Sequence, residues 1–233
     1  MCGRYASAED PNSLIEFFEA VDATEAPLPD NYNVAPTQPV YVVDEVSGPR
    51  QLRVVNWGLV PSWAKDASLA GKLINARAET VAEKPSFRGP FAKTRCLVPA
   101  TGWYEWKTVG AEPKVKRPFY LTRVDGAPVA MAGLLEAWKH PDTGQWLRTV
   151  AVITTENCVE LAPIHDRMPV ILERAEWSQW LDPSAGELDL LSLLNPTEPG
   201  TVQAWEVSQA VNSIRNGGPE LIRPLEQSGD ILR

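Results

Sequence analysis

The chain has 233 residues, of which 44% are hydrophobic and 22% charged, and a net charge of −8. These are ordinary globular values that allow a substantial core and exclude a disordered or fibrous chain. With no spanning-length apolar run and no signal-peptide core, the expectation is a soluble cytoplasmic protein. Three cysteines (Cys2, Cys96, Cys158) and two histidines without ligand spacing argue against a disulfide scaffold or a zinc module.

The charge is unevenly spread. Residues 1–50 carry a net −7, residues 51–123 a net +8 and residues 124–233 a net −9. A basic island in an acidic chain admits a polyanionic partner, since binding follows the local field. A solvated loop surface would give the same count.

In chain order, "DPNSLIEFFEAVD" (10–22) predicts a helix capped by Asp10, with Pro11 in its first turn and Leu14, Phe17, Phe18 and Val21 on one face. "PVYVVDEV" predicts a strand ending near Ser47-Gly48-Pro49, and "LRVVNWGLV" a second strand stopped by Pro61. "GKLINARAET" and "RCLVPATGWYEWK" alternate as strands do, and "RPFYLTRVDGAPVAMAGLLEAW" predicts a hairpin turning at Asp125-Gly126. "WLRTVAVITT" reads as a buried strand, "AEWSQWLD" and "ELDLLSLLN" as helices, and "VQAWEVS" as a last strand. With no repeats and no linker, the pattern predicts one compact, strand-rich α+β domain.

Several positions could carry chemistry. In "LINARAET" the alternation puts Leu73, Asn75, Arg77 and Glu79 on one face, either a row of hydrogen-bonding groups or an exposed edge. In "GWYEWK" it sets Glu105 among tryptophans, where an apolar wall raises a carboxyl pKa, unless a Lys or Arg pairs with it. His165 in "APIHDRMPVIL" follows a turn and is either structural or a proton carrier, and His140 reads as surface. Trp57, Trp63, Trp103 and Trp106 lie in or beside the basic stretch. Aromatics among cations suit single-stranded nucleic acid, although core packing also uses tryptophan.

The chain opens "MCGRY". Removal of Met1 would leave Cys2 with a free amine, pKa about 7.7–8.0, beside a thiol of pKa about 8.5. Such a 1,2-aminothiol condenses with an aldehyde to a thiazolidine, or its thiol attacks an amide with the amine as base. The residues leave both routes open.

Taken together, "MCGRY", "NYNVAPT", "WGLVPSWAKD", "LINARAET", "RCLVPATGWYEWK" and "APIHDRMPVIL", with the closing "VNSIRNGGPELIRPL", resemble the SOS-response-associated peptidase (SRAP) family. Its members shield abasic sites in single-stranded DNA through a DNA–protein crosslink. The resemblance implies one SRAP domain over residues 2–226, mostly antiparallel sheets in a barrel-like arrangement with short flanking helices, and a tail over 227–233. It implies Cys2 as the nucleophile, Asn75 as the group orienting it, Glu105 as the acid/base for sugar ring opening, and His165 as a second proton carrier. It implies a DNA-contacting set of Arg4, Asn33, Pro36, Trp63, Arg77, Thr154 and Arg167. Trp63-Ala64 stands where some members carry two adjacent aromatics, implying a smaller stacking platform that Lys65 and Lys72 would supplement. The resulting expectation is a monomer without cofactor or metal that captures abasic single-stranded DNA covalently, with accessory self-cleavage of Met1, lyase or crosslink-reversal activity. The alternatives are an N-terminal-nucleophile cysteine amidohydrolase of the glutamine amidotransferase kind, and a non-covalent single-strand binder.

Overall fold

The computed structural model describes residues 2–46, 48–111 and 113–225. Met1, Ser47 and the predicted tail (with Glu226) lie outside the described residues. In chain order the elements are β1 (Tyr5–Ser7), α1 (Pro11–Phe18), β2 (Val21–Asp22), β3 (Asn31–Val34), β4 (Pro39–Asp44), β5 (Gln51–Trp57) and β6 (Asn75–Arg77). Then come α2 (Arg88–Lys93), β7 (Arg95–Ala100), β8 (Gly102–Val109), β9 (Val115–Arg123), β10 (Val129–Lys139) and β11 (Trp146–Glu156). The chain continues with β12 (Arg167–Pro169), α3 (Trp177–Leu181), α4 (Glu187–Leu191) and β13 (Val202–Glu206).

α1 begins as its sequence dictates, with the Asp10 carboxylate accepting from the Asn12 and Ser13 amides at 3.0 and 3.2 Å and Pro11 in the first turn. It ends four residues early: Glu19 adopts a left-handed conformation (φ 53°), and Val21 leaves the predicted helix face to pair with β5.

The strands form two sheets. One runs β13-β9-β8-β1-β3, and the other β12-β11-β10-β7-β4-β5-β2 with β6 paired to β11. Parallel pairing of β11 with β5, at Thr149↔Asn56 and Val150↔Trp57, closes β11, β10, β7, β4 and β5 into a five-stranded barrel. A closed barrel removes the edge strands that an open sheet must protect. Two predictions break on this topology. "RCLVPATGWYEWK" is two strands separated at Thr101, β7 in the barrel and β8 in the other sheet. The turn at Asp125-Gly126 exists, but β9 and β10 pair with different partners and make no hairpin.

Alternation divides each barrel strand between two cores. Val40, Val42, Val55, Trp57, Cys96, Val98, Met131, Val150 and Val152 pack with Cys2, Tyr5, Trp103 and Leu121. Tyr41, Val43, Leu52, Leu97, Leu134, Ala151 and Ile153 pack beneath α1, α2 and α3 with Phe18, Phe91, Trp177 and Trp180. The first set, mostly valine with Trp57 and Met131, packs tightly. A Cβ on Gly133 would lie 2.7 Å from Cys96 Sγ and 2.8 Å from Val98 Cγ2. Overpacking of this kind costs roughly 1–3 kcal/mol, so Gly133→Ala lowers thermal stability by several degrees, measurable by calorimetry.

Among the described residues, no helix is long and apolar enough to cross a membrane, and no three His, Cys, Asp or Glu gather as metal ligands. The three cysteines are free and buried.

Candidate active site and nucleic-acid interface

Tyr5, Trp103 and Leu121 of the first sheet pack against barrel residues such as Trp57 and Val152. β1 lies antiparallel to β8 with Tyr5 opposite Trp103, and the Tyr104 amide donates to the Arg4 carbonyl. This pairing brings the N-terminal segment alongside Glu105. Cys2 is fully buried, in the same core as Val152 of β11.

β6 reaches Cys2 from the other side. It runs parallel to β11 with Asn75 beside Val152 and Arg77 beside Thr154, while Ala76 between them turns into the helix-covered core. The predicted alternation thus holds for the three residues that are strand; Glu79 belongs to a 3₁₀ turn after it. Asn75 Nδ2 donates to the Cys2 carbonyl at 2.8 Å. That bond fixes the chain at the residue that a mature N-terminus would begin with.

Glu105 is 1% exposed. Burial pushes its carboxyl up to about 7, because the charged form loses its hydration. Burial, and then the Glu105 charge, hold the Cys2 thiol well above its usual pKa, so the thiol is neutral. His165 Nε2 lies 3.7 Å from Glu105 Oε2. On the ring's other side, Nδ1 accepts the Arg167 amide at 3.0 Å and also has Asp166 Oδ1 at 3.0 Å. The Arg167 amide favours a bare Nδ1 and the Asp166 carboxylate a protonated one, so the ring can hold its proton on either nitrogen. Burial lowers the His165 pKa, in keeping with a neutral ring.

The four residues Cys2, Asn75, Glu105 and His165 therefore come together from β8, β6, the N-terminal segment and the loop before β12. Of the predicted contact set, Arg77 shares β6 with Asn75, and Arg167 follows His165 by two residues. Trp63 is 61% exposed in the loop after β5. Trp138 Nε1 anchors that loop by donating to the Ala64 carbonyl at 2.8 Å. Gly58 (φ 119°) lets the loop leave β5, and a Cβ there would stand 2.3 Å from the Ala70 carbonyl oxygen. Pro36 sits half-buried in a turn whose next residue, Thr37, has φ 73°, a strained conformation for a β-branched residue. Arg77 is exposed.

The remaining residues of the set are tethered. Arg4 Nη1 donates to Asn33 Oδ1 at 2.7 Å and to the Val211 carbonyl at 3.0 Å. Asn33 is 1% exposed, and its Nδ2 holds the Val211, Ser213 and Asn216 carbonyls at 3.2, 3.0 and 2.7 Å. Arg167 pairs with Glu79 and donates to the Thr154 carbonyl at 2.6 Å, and Thr154 is buried. Asn33 and Thr154 thus lie beneath the surface, behind the two arginines.

Sequence reading missed three contributors. Asn157 Nδ2 donates to the His165 carbonyl at 2.9 Å and its amide to the Asp166 carbonyl at 3.0 Å, clamping the loop. Glu79 orients Arg167. The buried Tyr5 hydroxyl has no hydrogen-bond partner among the described residues, and burial followed by the Cys2 charge raises its pKa. Of the three, Glu79 stood on the predicted polar face with Asn75 and Arg77, and Tyr5 lies three residues from Cys2; Asn157 carried no signal in sequence.

Comparison with known proteins bears on this arrangement. The family described as "SOS response associated peptidase (SRAP)" matches residues 1–214. The chain is 41% identical over 225 residues to the abasic site processing protein YoqW of Bacillus subtilis, covering 95% of this chain and 99% of that protein. It is 34% identical over 216 residues to the abasic site processing protein HMCES of Pongo abelii, covering 80% of this chain and 60% of that protein. A crystal structure of a Bacteroides thetaiotaomicron protein superposes with a TM-score of 0.87 at 28% identity, covering 96% of this chain and all of that one.

Proposed function

The chain belongs to the SOS response associated peptidase (SRAP) family, and from that premise we propose that it captures abasic sites in single-stranded DNA through Cys2. One observation carries the reading. The Asn75 side chain pins the Cys2 carbonyl beside a buried carboxyl whose pKa is raised to about 7.

The steps follow from the groups present. An abasic deoxyribose is mostly a closed hemiacetal, and protonated Glu105 delivers its proton to the ring oxygen as C1′ becomes an aldehyde. The Cys2 amine, free after Met1 is removed, adds to C1′, and loss of one water gives the imine. The neutral thiol then adds to the imine carbon, forming the C–S bond, while its proton passes to the nitrogen. The product is a thiazolidine, and the net change is aldehyde plus aminothiol to ring plus water. Glu105 and neutral His165 carry the protons between these steps. Closing the ring removes the imine, which would otherwise allow strand cleavage by β-elimination.

Arg77 and the tethered Arg4 and Arg167 meet phosphates, and Trp63 and Pro36 pack against bases at the lesion. Asn33 and Thr154 hold Arg4 and Arg167 in place. The protein acts as a monomer in the cytoplasm and is consumed as it crosslinks. Met1 removal, lyase and reversal activities draw on the same proton carriers.

The test is incubation with single-stranded DNA carrying one abasic site. The expected result is an adduct stable to denaturing electrophoresis without added reductant, and none with undamaged DNA. Glutamine-dependent ammonia release without an adduct would instead indicate an amidotransferase. Asn75→Ala leaves the thiol and amine intact but frees their backbone, and such misplacement slows adduct formation by about 10²-fold. Single-turnover rates at saturating DNA measure the loss.

A further inference from the structure

β8 and β9 continue past the site as a two-stranded ribbon. Their pairing runs from Glu105↔Phe119 through Lys107↔Arg117 and Thr108↔Lys116 to Val109↔Val115. The segment 107–117 carries Lys107, Lys114, Lys116 and Arg117 against a single carboxylate, Glu112, which lies outside the described residues. Lys114, Lys116 and Arg117 are exposed and Lys107 is half-buried. Arg117 is bonded to Glu206, but none of the three lysines has an ion-pair partner among the described residues. No other lysine among the described residues has one either, so what sets the segment apart is four basic residues against one carboxylate in a chain with 30 acidic and 22 basic residues.

The ribbon is continuous with the site in two ways. By strand alternation, Lys107 follows Glu105 on the same face of β8, and Arg117 follows Phe119 on the same face of β9. The Lys116 ammonium is also near enough to act on both Glu105 and His165, lowering the pKa of each. Lys116, opposite Thr108, lies on the other face, so the ribbon carries cations on both sides as it leads away from a buried proton donor and suits a polyanion.

We propose that the β8–β9 ribbon is a phosphate-binding arm for the DNA strand flanking the lesion, contacted by Lys107, Lys114 and Lys116. The inference rests on the proposed function and extends its footprint. Glu105 to Val109 spans about 13 Å at ~3.3 Å per residue. That length fits only a few nucleotides of single strand to one side of the lesion.

The experiment compares wild type with the triple variant Lys107→Gln, Lys114→Gln, Lys116→Gln. The charge-matched control is Lys84→Gln, Lys93→Gln, Lys139→Gln. All six side chains are at least partly exposed, so folding is preserved. Affinity for undamaged single-stranded DNA, read by fluorescence anisotropy across salt concentrations, gives the counterion slope. Loss of three phosphate contacts should flatten that slope by about 2, at ~0.7 per contact on single strands, while the control keeps it. Crosslinking rates are then measured on two abasic oligonucleotides, with the lesion near the 5′ end or near the 3′ end. The triple variant should be slow on only one polarity and match wild type on the other.

A slope equal to wild type, or an equal fall in the control, overturns the arm. A wild-type protein that forms no adduct, while the slope still falls in the ribbon variant alone, overturns the capture chemistry and leaves the arm standing. An acidic protein segment as the true partner would show as an unchanged DNA slope, and so also overturns it.

Discussion

Cys2→Ala protein gives no adduct with abasic single-stranded DNA that survives a denaturing gel. The variant still loses its initiator methionine and still presents an amine, so it reaches the imine. It cannot close the ring. Its adduct therefore appears only when borohydride is present to reduce the imine, and without reductant the strand is cut. Cys2→Ser separates the contribution of sulfur from that of polarity. The hydroxyl is a much weaker nucleophile than sulfur, so this variant should behave like alanine, with cleavage and little unreduced adduct. Because Cys2 is fully buried among Tyr5, Val152 and Trp103, the isosteric serine also controls for packing. A serine adduct as stable as wild type would remove the thiazolidine from the mechanism.

Glu105→Gln slows adduct formation by about 10²–10⁴-fold, the usual worth of a positioned general acid–base. It also changes the pH profile. The Glu105 carboxyl has its pKa raised by burial to about 7, so its acid form is present below that pH and lost above it. Ring opening in wild type therefore weakens as pH rises through 7, and glutamine, with no proton to lose, removes that limb. Stability falls over the same rise in pH. With a folded-state pKa raised from 4.5 to about 7, the carboxyl's contribution is complete below the unfolded value. It is lost as pH rises through 7, where a buried charge must be carried. The shift corresponds to about 3 kcal/mol at most. Glu105→Gln should thus melt higher than wild type at pH 8 and nearly level with it at pH 5. Higher melting with lower activity in one variant marks a group kept for chemistry at a cost in stability.

The local parts of this fold could be read in sequence, and the long-range parts could not. Asp10 and Pro11 announce the start of α1 because capping is a contact within one turn. The helix end was misread because Val21 fits a helical face, and pairing with β5, set by residues thirty positions away, decides otherwise. "RCLVPATGWYEWK" alternates without interruption, and nothing local shows the chain changing sheets at Thr101. The turn at Asp125-Gly126 was legible, but the partners of β9 and β10 were fixed by barrel closure.

The site divides along the same line. Glu105 among indoles carried its own signal, since burial of a carboxyl follows from its neighbours in β8. Asn75 showed as a polar face on a short strand, but its bond to the Cys2 carbonyl joins positions 73 apart. Asn33 looks like a surface polar residue in sequence, and Thr154 belongs to a strand already read as buried. Only the structure shows that they lie behind Arg4 and Arg167.

The most direct measurement of covalent capture is mass spectrometry of the digested adduct, before and after borohydride treatment. The account predicts an N-terminal peptide that begins at Cys2, lacks Met1 and carries the sugar with loss of one water. That mass should not change on reduction, because a thiazolidine has no C=N bond, whereas an imine of the same mass would gain two hydrogens. A sugar attached to an internal lysine, or to a peptide that still bears Met1, would contradict it.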